Sequence, residues 1–332
     1  MQNKSLEKNH NNWVVSSVSR YFKNNTGILS AFVVLFILLS ITADNFFTYD
    51  NFINVLRTAS TNAFLAIGVM LAIMLGGIDL TGGALIAFSG CMTVVTMQRF
   101  QVPITIAVSL GLLIGIVIGL LNGLIIAYSG IHPFVVTLAT QSICRGAAYL
   151  IADGQPVSIM DDQFTQIGNG YLSFLPLPVV YTIIFMFSAY ILLARTRMGR
   201  HIYAVGGNST AAKFSGINIR KIKIMVWTVS GFLAAFAGVV LSSRMSSGQP
   251  AVGVGFETDA IAAAVLGGTS MYGGTGTVGG MALGVLVMAV ISNGLNLLRV
   301  NSYWQYVAKG IIILLAVYMD MQKKIKESSR KE

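Results

Sequence analysis

Apolar residues in this chain are gathered into long runs that few charged residues interrupt. Ten runs follow one another, at about 26–46, 60–78, 82–98, 104–128, 133–152, 177–195, 223–243, 257–270, 277–297 and 303–320. A helix that crosses a bilayer needs about 20 mostly apolar residues, a length that most of these runs reach or approach. The run at 257–270 is too short to cross a hydrocarbon core of roughly 30 Å as a straight helix. The pattern predicts an all-α, polytopic membrane protein with about ten transmembrane helices.

Composition agrees with burial in lipid. Of the 332 residues, 55% are hydrophobic and 10% are charged, whereas a soluble domain normally carries about 25% charged residues. The two cysteines, Cys91 and Cys144, both fall inside apolar runs, and we expect buried thiols rather than a disulfide.

A polar arm at 1–25 precedes the first run, and no obvious small-residue cleavage site follows that run. We therefore expect the first helix to stay in the membrane.

The net charge of +10 reflects topology and does not indicate a nucleic-acid partner. Sixteen of the 22 Lys and Arg residues lie in three segments: the arm 1–25, the loop 195–223 and the tail 321–332. The positive-inside rule places all three in the cytoplasm, which requires an even number of crossings between each pair. Six runs before the loop and four after it satisfy this requirement. The loop 153–176 then faces outside, and it contains three Asp residues and no Lys or Arg.

A glycine-rich stretch from Gly76 to Gly83 places an acid, Asp79, between two apolar runs. Glycine frees the backbone from helical geometry, and non-helical backbone survives at membrane depth only inside protein or beside a water-filled cavity. Asp79 would cost about 2.5–3.5 kcal/mol at the centre of a lipid-facing helix, so we expect it at the interface or facing the protein interior. Two roles stay open: capping of the following helix, or a part in the translocation path or its gating.

A second glycine-rich stretch runs from Gly267 to Gly280, and its Leu-Gly-Gly start and later Gly-Gly pair match the spacing of the first. Matching glycine interruptions in two halves of a chain are typical of transporter repeats with a broken-helix site. Both segments would enter the membrane in the same direction, which fits an inverted repeat poorly. The stretch also contains Gly274-x-Gly276-x-x-Gly279, but no strand precedes it and no βαβ unit is visible, so we reject nucleotide binding there.

Seven polar or charged residues within or beside the apolar runs are the candidates for the translocation path or its gating. They are Asp79, Asn122, Arg145, Glu257, Asp259, Asn293 and Asn296. Structural alternatives stay open for each of them. The asparagines suit interhelical hydrogen bonds, Arg145 suits snorkelling towards the outer loop, and the two acids of the short run suit a helix N-terminus. Glycines at four-residue spacing from Gly111 to Gly123 predict a smooth stripe for close helix packing.

The basic loop 196–222 carries the signals of a short helix at 208–217. Asn208 is a good N-cap, about two helical turns follow, and Gly216 is a natural residue just past the helix end. This segment either lies on anionic headgroups or docks a cytoplasmic partner. The residues expected to form the docking element are Asn208, Ser209, Ala211, Ala212, Phe214 and Gly216.

Sequence signals of catalysis are missing. There is no Gly-Lys-Ser/Thr, hence no Walker A loop, and no Gly-x-Ser-x-Gly elbow. The three histidines, His10, His132 and His201, are far apart and give no metal motif. We expect a chain without catalytic residues, a metal site or a cofactor of its own.

The motifs in combination resemble those of ribose-type ATP-binding-cassette (ABC) permeases, over about residues 26–320. The matching stretches are Asn45-Phe46-Phe47-Thr48, Gly77-Ile78-Asp79-Leu80, Arg197-x-Gly199-Arg200, Ser215-Gly216-Ile217-Asn218, Glu257-x-Asp259-Ala260-Ile261, Leu266-Gly267-Gly268-Thr269-Ser270 and Asn293-Gly294-Leu295-Asn296. Two departures leave the substrate open: Thr81-Gly82 stands where the family more often has Ser-Val, and Tyr272 where a small residue is more usual.

This resemblance implies a sugar importer in a bacterial inner membrane. Residues 26–320 would form the permease domain, with both termini in the cytoplasm and 208–217 as the coupling helix. Its partners would be a second permease chain, an extracellular or periplasmic sugar-binding protein, membrane lipid and an ATPase chain that holds ATP and Mg. Relatives carry other pentoses, galactosides or a cyclic furanosyl signalling molecule of the autoinducer-2 type. The alternative of another class is a gradient-driven secondary carrier, although the sequence offers few intramembrane acids beyond Asp79 for an ion relay.

Overall fold

The structure, a computed structural model, describes residues 26–328, and this part of the chain is predominantly helical. Its helices are α1 Thr26–Thr42, α2 Tyr49–Met74, α3 Gly82–Phe100, α4 Ile104–Tyr128, α5 Pro133–Ile151, α6 Asp162–Asn169, α7 Leu177–Arg195, α8 Arg197–Gly207, α9 Ser209–Phe214, α10 Ile219–Met245, α11 Phe256–Leu266, α12 Val278–Leu297 and α13 Ser302–Ser328. The all-α prediction is confirmed. The arm 1–25 and the last four residues of the tail lie outside the described residues, and the backbone at 321–328 continues α13.

Four two-residue strands are the other regular elements of the described chain. β1 (Val157–Ser158) pairs antiparallel with β4 (Ser247–Gly248), and β2 (Tyr171–Leu172) pairs with β3 (Leu175–Pro176). The first pair joins the loop 153–176 to the chain that follows α10.

Seven of the described helices are long and apolar enough to cross a membrane: α2, α4, α5, α7, α10, α12 and α13. Three further predicted segments appear as α1 with 17 residues, α3 with 19 residues and α11 with 11 residues. At 1.5 Å per residue, α11 is about 16 Å long, roughly half of the hydrocarbon thickness. The expectation that 257–270 is too short to span alone is confirmed.

Helices α2 and α10 form the core of the bundle. The C-terminal part of α2, from Ala59 to Met74, is buried without interruption. The glycine stripe of α4 packs on α10, as its spacing predicted. A β-carbon on Gly119 would lie 3.0 Å from the Thr228 Cα, and one on Gly123 would lie 2.7 Å from the Ile224 Cα. Larger side chains at these positions would push the two backbones apart.

Candidate translocation path and docking segment

The segment between α2 and α3 is an interrupted span. After Met74 the chain turns back without helical structure, so that Gly82 lies against the side chain of Leu65. Leu65 precedes Met74 by nine residues, about 13 Å along the helix axis. The glycine-rich stretch therefore returns to roughly mid-depth before α3 begins, and Gly77, Asp79 and Thr81 of this non-helical segment are buried in protein, as burial in a bilayer requires.

A second interrupted span precedes α11. Residues 246–255 are non-helical, and α11 begins only at Phe256. The two interruptions meet, because Gly83 packs directly on the carbonyl of Gly253 and on the carboxylate of Glu257, with no space for a β-carbon. In each half of the bundle, one of these two spans is therefore helical while the other is extended.

Asp79 faces the protein interior. Its buried carboxylate accepts a 2.6 Å hydrogen bond from the Ser230 hydroxyl of α10 and a 3.0 Å bond from the Thr81 amide. Thr81, not Asp79, precedes the first helical residue of α3, and it makes no side-chain capping bond. The Asp79 carboxylate accepts the Thr81 amide at the entrance to this helix, which fits the capping interpretation. It also ties the returning segment to α10 through Ser230, and a part in gating stays a prediction.

Asn122 connects three membrane segments. Its side-chain amide donates to the Thr81 hydroxyl at 3.0 Å and accepts from the Thr140 hydroxyl of α5 at 2.6 Å. With its side chain buried, Asn122 makes the interhelical hydrogen bonds expected of an intramembrane amide.

Arg145 stabilises the second interruption and does not snorkel outwards. Its Nη1 lies 2.7 Å from the carbonyl oxygen of Pro250 and 2.7 Å from that of Val252, and donates to both. These carbonyls lie in non-helical backbone, where no helix satisfies them. Nearby, the Gln141 side chain donates to Glu257 at 3.1 Å, while the second oxygen of Glu257 is buried and has no partner within the described chain.

Asp259 forms an ion pair with Lys309, which joins α11 to α13. The Lys309 Nζ lies 2.6 Å from Asp259 Oδ2, and the Asp259 side chain is only 4% exposed. A buried carboxylate such as this one is tolerated where an oppositely charged group lies beside it. Sequence reasoning missed Lys309, although a single Lys inside the apolar run 303–320 was the available signal.

Two other candidate residues, Asn293 and Asn296, form hydrogen bonds between helices. Asn293 of α12 and Asn51 of α2 exchange two hydrogen bonds, at 2.7 and 3.2 Å. Asn296 accepts a 2.9 Å bond from Gln305 of α13 and is exposed on its other side. The interhelical interpretation of Asn293 is confirmed.

The predicted short helix is present as α9. The Asn208 side chain accepts a 2.9 Å hydrogen bond from the Ala211 amide, and Gly216 has a φ of +80° just past the helix end. Phe214 is 87% exposed, whereas Ala212 is buried against the chain itself. The expectation that Ala212 is available for contact is therefore wrong, and Phe214 is the dominant apolar group on this surface. Asn208, Ser209, Ala211 and Gly216 are also exposed.

We define the docking segment as α8 and α9 with residues 215–217. Its backbone contacts both glycine-rich stretches. The Gly274 amide donates a 2.9 Å hydrogen bond to the Met74 carbonyl at the end of α2. Gly206 packs on that carbonyl, and a β-carbon on it would also lie 2.6 Å from the Gly274 nitrogen. The Tyr203 hydroxyl donates a 2.7 Å bond to the Gly276 carbonyl, and burial raises the Tyr203 pKa, which keeps the phenol protonated.

Comparison with known proteins places these features in a family. Residues 51–317 match the family described as branched-chain amino acid transport system / permease component. The chain is 42% identical over 295 residues to ribose import permease protein RbsC of Haemophilus influenzae, covering 87% of this chain and 91% of the relative. The Bacillus subtilis protein of that name is 42% identical, covering 87% of this chain and 90% of the relative. An L-arabinose transport system permease protein of Escherichia coli is 38% identical, covering 90% of each. No solved structure matches the chain.

Proposed function

Because this chain belongs to the family of branched-chain amino acid transport system / permease components, we propose that it is the membrane-spanning permease subunit of an ABC importer for ribose or a related monosaccharide. The relatives at 36–42% identity are named for ribose, allose and arabinose transport. Their shared feature is a small, neutral, polyhydroxylated substrate. The chain is a multi-pass membrane protein and a transporter component.

The observation that carries the mechanism is the contact between the docking segment and the interrupted spans. Gly206, three residues before the start of α9, packs on the end of α2 and on the loop that follows α11. Movement of α9 by a partner would therefore act on the end of α2 and on the loop after α11 together, and through them on both interrupted spans. Packed elements of this kind switch between discrete arrangements and do not deform continuously.

The proposed partner at α9 is a separate ATPase chain, which would hold ATP and Mg. The exposed Phe214 offers an apolar anchor, and the positive-inside rule places this basic loop and both termini in the cytoplasm. Aromatic side chains exposed in this way are frequent energetic anchors of interfaces. On the other side of the membrane, the loop 153–176 faces the proposed sugar-binding protein.

Large apolar side chains on several helices are exposed in the single chain. Examples are Leu113 on α4, Ile143 on α5, Phe187 on α7 and Leu314 on α13. Exposed apolar surface of this extent marks contact with lipid or with another protein. We assign it to membrane lipid and to a second permease chain, identical or related.

The family description names branched-chain amino acids, and the structure favours a sugar. A branched aliphatic side chain needs an apolar pocket. A cluster of polar residues within this bundle, around the Asp259–Lys309 pair, offers hydrogen-bonding groups instead.

Reconstitution tests the proposal. The permease is placed in proteoliposomes with and without its ATPase and binding protein, and uptake of labelled D-ribose is measured. We expect uptake that requires ATP and the ATPase chain. Uptake driven by a proton or sodium gradient alone would contradict the proposal and favour a secondary carrier.

A further inference from the structure

Five helices converge on a cavity of about 230 Å³ beside the Asp259–Lys309 ion pair. The lining residues come from α2, α10, α11, α12 and α13, and nine of the eleven are polar or charged. Such a concentration of polar side chains in a largely apolar bundle needs a physical reason. Close packing does not supply that reason, because burial of polar groups costs free energy unless each is hydrogen-bonded.

Two buried atoms of this cavity have no hydrogen-bond partner within the described chain. They are Asp259 Oδ1 and Ser292 Oγ. The Asp259 side chain is 4% exposed, and its other oxygen is already bound by Lys309. An unsatisfied buried polar group costs about 1–3 kcal/mol, more if it is charged. A ligand that supplies hydrogen-bond donors would remove this cost.

The donors and acceptors around the cavity suit a ring of hydroxyl groups. Asp259 offers an acceptor, Lys309 and Arg244 offer donors, and Asn62 and Ser292 offer both. A sugar hydroxyl donates one hydrogen bond and accepts others, so it can pair with each of these groups. The charge of Lys309 is compensated by Asp259 at 2.6 Å, whereas Arg244 lines the cavity without an ion pair among the described residues. A phosphorylated sugar is therefore included beside the neutral sugar in the test below.

The cavity has an approach from one side. A neighbouring open groove of about 410 Å³ shares Phe256, Gln305 and Lys309 with it. Tyr306 lines that groove as well, so Phe256 and Tyr306 add two aromatic rings to a polar route. Ligand sites in proteins commonly combine apolar faces with a few placed polar groups.

We propose that this cavity binds a neutral monosaccharide on its way through the membrane. The unpartnered oxygen of Asp259 would accept a hydrogen bond from a sugar hydroxyl, and the Ser292 hydroxyl would donate to or accept from another. The proposal rests on the proposed function and deepens it by assigning the substrate to this place. Lys309 positions Asp259 and also borders the route by which the sugar enters.

Thiol labelling tests this assignment in the reconstituted transporter. Ser292→Cys introduces a thiol into the cavity, while both native cysteines are buried with 0% exposure and give a silent background. We expect a hydrophilic methanethiosulfonate reagent to modify the new thiol. D-Ribose at ten times its half-protecting concentration should slow that modification roughly tenfold, as one-site mass action requires. L-Leucine should give no protection.

Ser158→Cys is the matched control, because Ser158 is exposed in the loop 153–176 and does not line the cavity. Both variants are labelled without the binding protein, since that protein is proposed to contact this loop. Its labelling should not change with ribose.

If ribose leaves the Ser292→Cys rate unchanged while ATP-driven ribose uptake persists, the cavity assignment is wrong and the proposed function stands. No labelling at all also overturns the assignment, because it shows that water does not reach the cavity. Equal protection by ribose 5-phosphate would identify an anion site instead. Absence of ATP-driven uptake in the unmodified transporter counts against the proposed function itself.

A second variant covers the possibility that Ser292→Cys does not assemble. Gln305→Leu removes a polar side chain that lines both the cavity and the groove, while preserving much of its volume. We expect the half-saturating ribose concentration to rise about tenfold, equivalent to about 1.4 kcal/mol. An unchanged ribose dependence in this variant would contradict the proposed site.

Discussion

The amide of Gly274 donates a 2.9 Å hydrogen bond to the carbonyl of Met74, and this bond joins the loop after α11 to the end of α2. Gly206 packs against both groups from the docking segment. Three chain segments that are far apart in sequence thus meet backbone to backbone. This junction offers a direct mechanical route from the docking segment to the interrupted spans.

Gly206→Ala should uncouple ATP hydrolysis from transport. Its β-carbon would collide with the Met74 carbonyl and lie 2.6 Å from the Gly274 nitrogen, so the junction must open. We expect ribose uptake per ATP hydrolysed to fall by about 5- to 150-fold, the span of typical coupling energies. Uptake and ATPase activity are measured on the same proteoliposomes.

The control is Gly207→Ala, one residue further along, where a β-carbon meets nothing within 4 Å. It should retain coupling. Equal loss in both variants would show that the effect is general to the end of α8 and not specific to the junction.

Phe214→Ala should weaken binding of the ATPase. Phe214 is 87% exposed and is the large apolar side chain of α9. Loss of an interface anchor costs about 2 kcal/mol or more, or about 30-fold in affinity. Co-purification and titration of the ATPase measure the effect. Phe187→Ala, at an exposed site on α7, is the matched control, and an equal effect there would contradict the assignment.

Lys309→Met should destabilise the bundle because it leaves the Asp259 carboxylate buried and unpaired. Removing one partner of a buried ion pair costs about 3–5 kcal/mol, whereas replacing both partners by apolar residues is often neutral. Thermal unfolding in nanodiscs should therefore rank K309M below D259L/K309M. The opposite order would show that the ion pair does not stabilise this contact.

Ser230→Ala should loosen the first interruption. The Ser230 hydroxyl donates the 2.6 Å hydrogen bond that satisfies Asp79. Without it, a buried carboxylate oxygen loses its partner, at a cost of about 1.5–3 kcal/mol for a bond to a charged group. The shift in thermal unfolding is compared with Ser188→Ala, whose hydroxyl is exposed on α7. A shift no larger than that of the control would contradict the role of Ser230.

Local chemistry in the sequence predicted much of the architecture. Helix-length apolar runs, the cap at Asn208, the positive φ at Gly216 and the glycine stripe of α4 each follow from short-range rules and are present. The second helix begins earlier than its apolar run, at Tyr49, because Thr48 caps it and its first turns carry polar residues.

Features that depend on tertiary contact were not predictable from one sequence. Nothing in the spacing of the two glycine-rich stretches shows that they meet at Gly206. The burial of Ala212 depends on how α9 lies against the chain, and small residues look alike in sequence whether they face in or out. The partner of Asp259 is 50 residues away on another helix, beyond any local pattern.

The central claim is that a cytoplasmic motor docks on α9 and moves the interrupted spans. The most direct measurement is labelling of Phe214→Cys with a membrane-impermeant thiol reagent in sealed vesicles of each orientation. We expect labelling only from the cytoplasmic side, and protection when the ATPase is bound. Labelling from the external side would contradict the account, because no ATPase could then reach the docking segment.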